Sequence, residues 1–180
     1  MNQGLIPNRY AKALLEYAAE NGKDKHVFTL MGNLAAAYES QPDLLKVMAN
    51  PFVPAADKAR LLTTASGATA DDTVMQSFIQ LLTENNRLDA ARDIALAYMK
   101  LYRKAHGIRL VTVTSAAPMA KAEEERLKKL ITAQLGGDTM DYKSVIDPDL
   151  IGGFVVNIDN EKLDASVANE LKQLRLKLLN

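Results

Sequence analysis

The spacing of apolar residues changes once along this chain, near His106 and Gly107, and that change decides what it can fold into. Before it, apolar side chains recur every three or four residues, the pattern of helices with one buried face. Directly after it comes IRLVTVTS at 108–115, a β-branched run with no helical period, which reads as a strand. The expected fold class is therefore α+β. An N-terminal six-helix antiparallel bundle over residues 1–106 is followed by a small β-α-β-β-α C-terminal region over residues 107–180.

The six helices are marked by their stops as much as by their stripes. The first, about 7–21, carries Tyr10, Ala13, Leu14, Tyr17 and Ala18 and ends at Asn21-Gly22, where glycine takes a left-handed turn without steric cost. The second, 24–40, carries Val27, Leu30, Met31, Leu34, Ala35 and Tyr38, with Asp24 as its cap. The third, 42–48, stops at Asn50-Pro51, because a residue before proline avoids the helical region. The fourth runs from Pro54 to Ser66-Gly67. The fifth starts at Asp71-Asp72, whose carboxylates suit the positive end of a helix dipole, and presents Val74, Phe78, Leu81 and Leu82 before ENNR at 84–87. The sixth, 88–106, has Leu88, Ala91, Ala95, Tyr98 and Tyr102 on one stripe and a cationic last turn. Short connections between six short helices imply antiparallel neighbours.

In the C-terminal region an amphipathic helix spans 118–135, with Leu127, Leu130, Ile131 and Leu135 inward and Glu124–Lys128 and Glu125–Lys129 pairs outward. Strands at 140–147 and 152–159 meet at Asp147-Pro148-Asp149. In the second, Phe154, Val156 and Ile158 share a face. A last helix starts at Asp164, its cap, and runs to about 178, with Val167, Leu171, Leu174 and Leu178 in line.

No constellation in this sequence carries chemistry. There is no cysteine, hence no disulfide, thiolate metal site or cysteine nucleophile. The two histidines, His26 and His106, are too few and too isolated for a metal site or a triad, so no catalytic, cofactor-binding or metal residue is assigned. The acids at Glu123–Glu125 sit in the first turns of a helix, where the dipole favours them. Those at Asp147, Asp149, Asp159, Glu161 and Asp164 recur at turns, where aspartate bonds to nearby backbone. Gly136-Gly137 follows a helix, and Gly152-Gly153 enters a strand with no Lys-Ser/Thr behind it, so neither is a phosphate loop. Gly152 and Gly153 read instead as a bulge or a close approach of another backbone. The net charge is zero and neither half is basic, which argues against a general nucleic-acid binder. The N-terminus lacks a signal-peptide pattern, and no run approaches the roughly 18 apolar residues of a membrane span.

Several motifs stand in an order that resembles a known family. RYAKALL at 9–15, the break at Asn50-Pro51, ENNRL at 84–88, DLIGGFVV at 149–156 and LDASV at 163–167 together closely resemble the delta subunit of the bacterial F-type ATP synthase. Its mitochondrial relative is the oligomycin-sensitivity-conferring protein. The resemblance covers nearly the whole chain, and LIGG with the downstream Asp-x-Ser-Val is its most specific part. It implies a non-catalytic stator subunit without cofactor or small-molecule substrate, peripheral on the cytoplasmic face of the bacterial inner membrane. The implied partners are the N-terminal helix of an alpha subunit, held between the first and fifth helices, and the C-terminal stalk of the b subunit, joined by the C-terminal region.

A helix laid in a groove needs anchors at i, i+3, i+4 and i+7. Tyr10, Ala13, Tyr17, Ser77 and Leu81 are the expected contacts for it, while Leu14 and Phe78 are expected in the core. Leu171, Leu174, Leu178 and Leu179 are the expected stalk contacts, and Gly152, Gly153, Asp164 and Ser166 the structural residues. Asn157 departs from the family, which often has a basic residue there. Two other classes compete with this reading. A nucleic-acid-binding α/β module with a helical extension predicts salt-dependent binding to DNA or RNA. An enzyme predicts turnover lost on substituting Asp147 or Asp149.

Overall fold

The computed structural model describes residues 4–69, 71–135, 137–159, 161–169, 171 and 175. The chain is α+β and divides into two compact units, one reaching to Tyr102 and one beginning at Arg103. The division falls inside the last turns of the sixth helix, slightly before the His106/Gly107 change of pattern.

The first unit is helical. Its elements are α1 (Leu5–Glu20), α2 (Asp24–Ser40), α3 (Pro42–Ala49), α4 (Ala55–Ser66) and α5 (Thr73–Glu84). A 3-10 turn at Leu88–Ala90 leads into α6 (Ala91–Ala105). Helix α1 begins before Pro7, which lies inside the first turn where no N–H partner is required. Asp24 is the first residue of α2 and not its cap, which is Lys23. Its backbone carbonyl accepts from the buried Tyr98 hydroxyl at 3.0 Å, and Tyr102 stacks on Phe28 with ring centroids 4.4 Å apart. Leu14, Val27, Leu30, Met31, Leu34, Phe78, Ile94 and Tyr98 are all buried in this unit.

At the start of α5, Asp72 ties three segments together. Its carboxylate accepts from the Thr69 backbone N–H at 2.7 Å and the Thr69 hydroxyl at 3.0 Å, and its other oxygen meets His26 Nε2 of α2 at 2.5 Å. His26 is thus a structural partner of α5. The Thr69 backbone bond, assisted by the His26 contact, holds the Asp72 carboxyl below its usual range.

The second unit contains a four-stranded sheet: β1 (Ile108–Ser115), β2 (Thr139–Ile146), β3 (Gly153–Ile158) and β4 (Glu161–Ser166). One helix, α7 (Lys121–Gln134), lies between β1 and β2 in sequence. The sheet order is β2-β1-β3-β4. Strand β1 is central, parallel to β2 and antiparallel to β3. The two strands that meet at Asp147-Pro148-Asp149 are therefore not a hairpin, because β1 is inserted between them. The hairpin is β3–β4. Val111, Val113, Val156 and Ile131 form the core, with Leu127, Leu135, Phe154 and Ile158 packed on it. Leu130, expected inward, is 62% exposed. Leu127, Ile131 and Leu135 succeed one another every four residues, and Leu130 falls about 100° away from Ile131 on the helix surface.

β4 occupies residues expected to open the last helix. Asp164 is consequently a strand residue opposite Val155, and not a helix cap. Its Oδ1 accepts from Ser166 N at 3.2 Å and Ser166 Oγ at 2.6 Å, and these contacts with Lys162 hold its carboxyl below the ordinary range. The cap is Ser166. Residues 167–169 are helical, and Ser166 Oγ accepts from Asn169 N at 3.3 Å, the Ncap-to-N3 bond of a helix start.

Candidate helix-binding groove

Helix α1 turns inward Pro7, Ala11, Leu14 and Ala18, at spacings of four, three and four. Two of these are alanines, so a neighbouring helix can come close and the bulky side chains of α1 fall on the next face. Tyr10, Ala13 and Tyr17 each precede an inward residue by one position, a rotation of about 100°. Ala13 and Tyr17 are exposed, the latter by 45%, and Tyr10 is half-buried. Helix α5 divides in the same way. Val74, Met75, Phe78, Ile79 and Leu82 are buried, while Ser77 and the 42%-exposed Leu81 face outward one turn apart.

Helices α1 and α5 are in contact, and a groove of about 390 Å³ lies where their outward faces meet. It is lined by Ile6, Arg9, Tyr10, Ala13, Leu81 and Arg87. Tyr10, Ala13 and Leu81 of the expected contacts thus share one groove. Tyr17 and Ser77 lie one turn beyond Ala13 and Leu81 on their own helices and do not line it.

Arg87 reaches the groove through the way α5 ends. Asn86 takes a left-handed conformation, φ 53°. Asn86 N then bonds to Thr83 O at 3.1 Å and Arg87 N to Leu82 O at 2.8 Å, the paired bonds of a Schellman turn. The chain reverses there and leaves Arg87 beside the helix end. Ile6, Arg9 and Arg87 were not among the expected contacts. Ile6 and Tyr10 are four apart on α1, a spacing that could have found the first; exposed arginines carry no comparable signal.

A larger concavity, about 560 Å³, lies around Pro51, Phe52, Val53 and Pro54 after α3, with Phe52 91% exposed. Size alone does not make it the better candidate, since Pro51 to Pro54, which line its middle, belong to the irregular connection between α3 and α4.

In the second unit Gly153 has φ 77°, and a Cβ there would lie 2.3 Å from the Ala165 carbonyl oxygen. Only glycine lets β4 approach β3 this closely. Val167 N donates to Gly152 O at 3.1 Å, which anchors the start of the helix that follows. Leu171 is 56% exposed. The other expected stalk contacts, Leu174, Leu178 and Leu179, lie outside the described residues. Of the turn aspartates, Asp147 bonds locally, its Oδ1 accepting from Asp149 N at 3.1 Å, whereas Asp159 reaches across the sheet and with Asp138 holds Arg109 through contacts of 2.9 Å each. Among the described residues no group of three or more His, Cys, Asp or Glu side chains could hold a metal ion, and no helix is long and apolar enough to cross a membrane.

A groove with an apolar floor, a phenol and two guanidinium groups has no acid–base pair and no nucleophile; it is suited to binding a surface. Comparison with known proteins gives that surface a context. The family model described as ATP synthase delta (OSCP) subunit matches residues 6–178. ATP synthase subunit delta of Phocaeicola vulgatus is 36% identical over 172 residues, 96% of this chain and 92% of that relative. The same subunit of Bacteroides thetaiotaomicron is 33% identical, spanning 100% of this chain and 97% of its own length. A chain in the cryo-EM structure of the Toxoplasma gondii mitochondrial ATP synthase hexamer superposes with a TM-score of 0.77, covering 97% of both chains at 20% identity, which speaks for the fold. On the family match and the full-length relatives, this chain belongs to the ATP synthase delta (OSCP) subunit family.

Proposed function

We propose that the protein is a non-catalytic stator subunit of an F-type ATP synthase, linking the catalytic head to the peripheral stalk and resisting rotor torque during proton-driven ATP synthesis. In this reading α1 to α6 form an antiparallel six-helix bundle that grips the N-terminal helix of an alpha subunit. The sheet unit and the helix after it join the C-terminal end of the b-subunit stalk, with Leu171 among the contacts. The subunit sits peripherally at the cytoplasmic face of the bacterial inner membrane.

The observation that carries the reading is the groove between α1 and α5, where Tyr10, Ala13 and Leu81 stand together on two helices, Ala13 and Leu81 exposed and Tyr10 half-buried. Ala13 leaves room for a partner backbone, and Tyr10 and Leu81 supply the flanking anchors that a docked amphipathic helix needs. The test is titration of the full chain with a labelled peptide of the alpha-subunit N-terminus. Tyr10→Asp places a charge on the apolar floor and abolishes binding, while circular dichroism stays that of the wild type. Unchanged affinity would move the interface to another face. Co-purification from the native membrane tests the wider claim, which fails if the protein does not travel with the other ATP synthase subunits.

A further inference from the structure

The two arginines of the groove differ from Arg103 and Arg109 of the second unit. Arg103 is held by Asp141 at 2.7 Å, and Arg109 by both Asp138 and Asp159 at 2.9 Å. Arg9 and Arg87 are exposed and have no ion pair among the described residues. No carboxylate lines the groove they share. Of the acids nearest to Arg87 in sequence, Asp89 lines the separate concavity after α3, and Glu84 accepts a bond from Gln80 at 2.9 Å. Two guanidinium groups from separate segments, the start of α1 and the turn after α5, thus converge on one apolar groove without a counter-charge in it. The Schellman turn at Asn85–Arg87 fixes the second of them, so the convergence is built into the backbone.

We propose that Arg9 and Arg87 form a cationic rim that selects a partner helix carrying carboxylates beside its apolar stripe, and that holds it in register. The inference rests on the reading of the groove as a helix-binding site. Ile6, Ala13 and Leu81 require apolar anchors, which a free phosphate or a nucleic-acid backbone lacks, and the arginines require acids flanking those anchors. A guanidinium at the rim contributes mainly to association rate, salt dependence and discrimination between partners, while the apolar floor sets residence time.

Two designed amphipathic peptides with the same apolar stripe test this, one with glutamate and one with glutamine at the flanking positions. Each is titrated against the wild-type chain, the Arg9→Gln/Arg87→Gln double variant and Leu81→Asp. The glutamate peptide should bind the wild type about two- to thirtyfold tighter, the range for two exposed ion pairs, with an association rate that falls as salt is added. The double variant should bind both peptides alike, at the affinity of the glutamine peptide. A preference for glutamate that survives in the double variant overturns the cationic rim, as does equal binding of both peptides by the wild type. Leu81→Asp separates this failure from failure of the groove itself. Loss of both peptides supports the groove as the site, and retention of both overturns the helix-binding reading whatever the arginines do.

Discussion

Helices α1 and α6 each carry two tyrosines at helical spacing, within the inward stripe of α6 but beside that of α1. In α6, Tyr98 and Tyr102 belong to the stripe, together with Ala91, Ile94 and Ala95; Tyr98 is fully buried and its hydroxyl donates to Asp24 O. Burial pushes the Tyr98 phenol well above its usual range, so it stays a donor at any physiological pH. In α1 the stripe is Pro7, Ala11, Leu14 and Ala18, and the tyrosines stand beside it. A helix that buries small residues while keeping Tyr10 and Tyr17 at the surface holds large amphipathic side chains available for a second contact. The same residue type, at one turn's spacing in α6 and two turns' in α1, is thus core on one helix and candidate interface on the other. What separates them is which positions the neighbouring helices cover.

The strongest way to break the contrast is to truncate the core side. Tyr98→Ala removes a fully buried ring and should cost about 4 kcal/mol in urea denaturation. Tyr98→Phe keeps the ring and leaves Asp24 O without its donor, for a loss of about 1 kcal/mol. A loss under 1 kcal/mol for Tyr98→Ala would show that this face of α6 is not core. On α1, Tyr10→Ala should change stability by no more than about 0.5 kcal/mol, because the side chain is only half-buried. It should nevertheless weaken binding of the alpha-subunit peptide by about 2 kcal/mol, roughly thirtyfold, as expected of an aromatic anchor. An equal loss of stability and affinity would mean that Tyr10 is packed like Tyr98 and that the contrast is wrong.

How much of this was legible depended on whether a feature is local. The helices of the first unit follow the three-to-four spacing, and their ends follow residues with strong backbone preferences, such as Gly67 and Pro51. Tyr10, Ala13 and Leu81 were reachable by the same spacing. β4 was not. EKLDAS at 161–166 has one leucine and three charged side chains, and it is a strand because β3 pairs with it residue by residue from Gly153 to Ile158. That pairing depends on a backbone approach at Gly153 that the sequence signals only as two adjacent glycines. The sheet order was equally hidden, since nothing local says that β1 lies between β2 and β3. Arg9 and Arg87 escaped because an exposed arginine reads as a solvated face until the turn that places it is known.

A smaller effect asks whether the outward face depends on the inward one. Asp72 holds the start of α5, one wall of the groove, against Thr69 and against His26 of α2. Its folded-state pKa lies below that of the unfolded chain, so the ionised form stabilises the fold. That contribution is complete above the unfolded value, about 4, and is lost as pH falls through the lowered folded value. Asp72→Asn should therefore cost about 1 kcal/mol at neutral pH and flatten the acid limb of the stability curve. If the peptide affinity of this variant is unchanged at neutral pH, the groove is held by α1 and the C-terminal half of α5 alone.

Tyr38 gives the smallest effect and the sharpest comparison with Tyr98. Both phenols are buried, and burial pushes the Tyr38 group up to about 12. The Tyr98 hydroxyl has a partner, whereas the Tyr38 hydroxyl has none among the described residues. Removing a buried hydroxyl that makes no bond removes a desolvation cost and leaves no other group unsatisfied. Tyr38→Phe should accordingly leave the urea midpoint unchanged or raise stability by up to about 1 kcal/mol, the opposite sign to Tyr98→Phe. A loss of 1 kcal/mol or more at Tyr38 would mean that its hydroxyl is bonded in solution, through ordered water or a neighbour such as Arg92, Asp93 or Asp89, whose charges bear on it. The two substitutions delete the same atom from the same residue type, so the difference between their midpoints isolates the value of the Tyr98–Asp24 bond from that of burial.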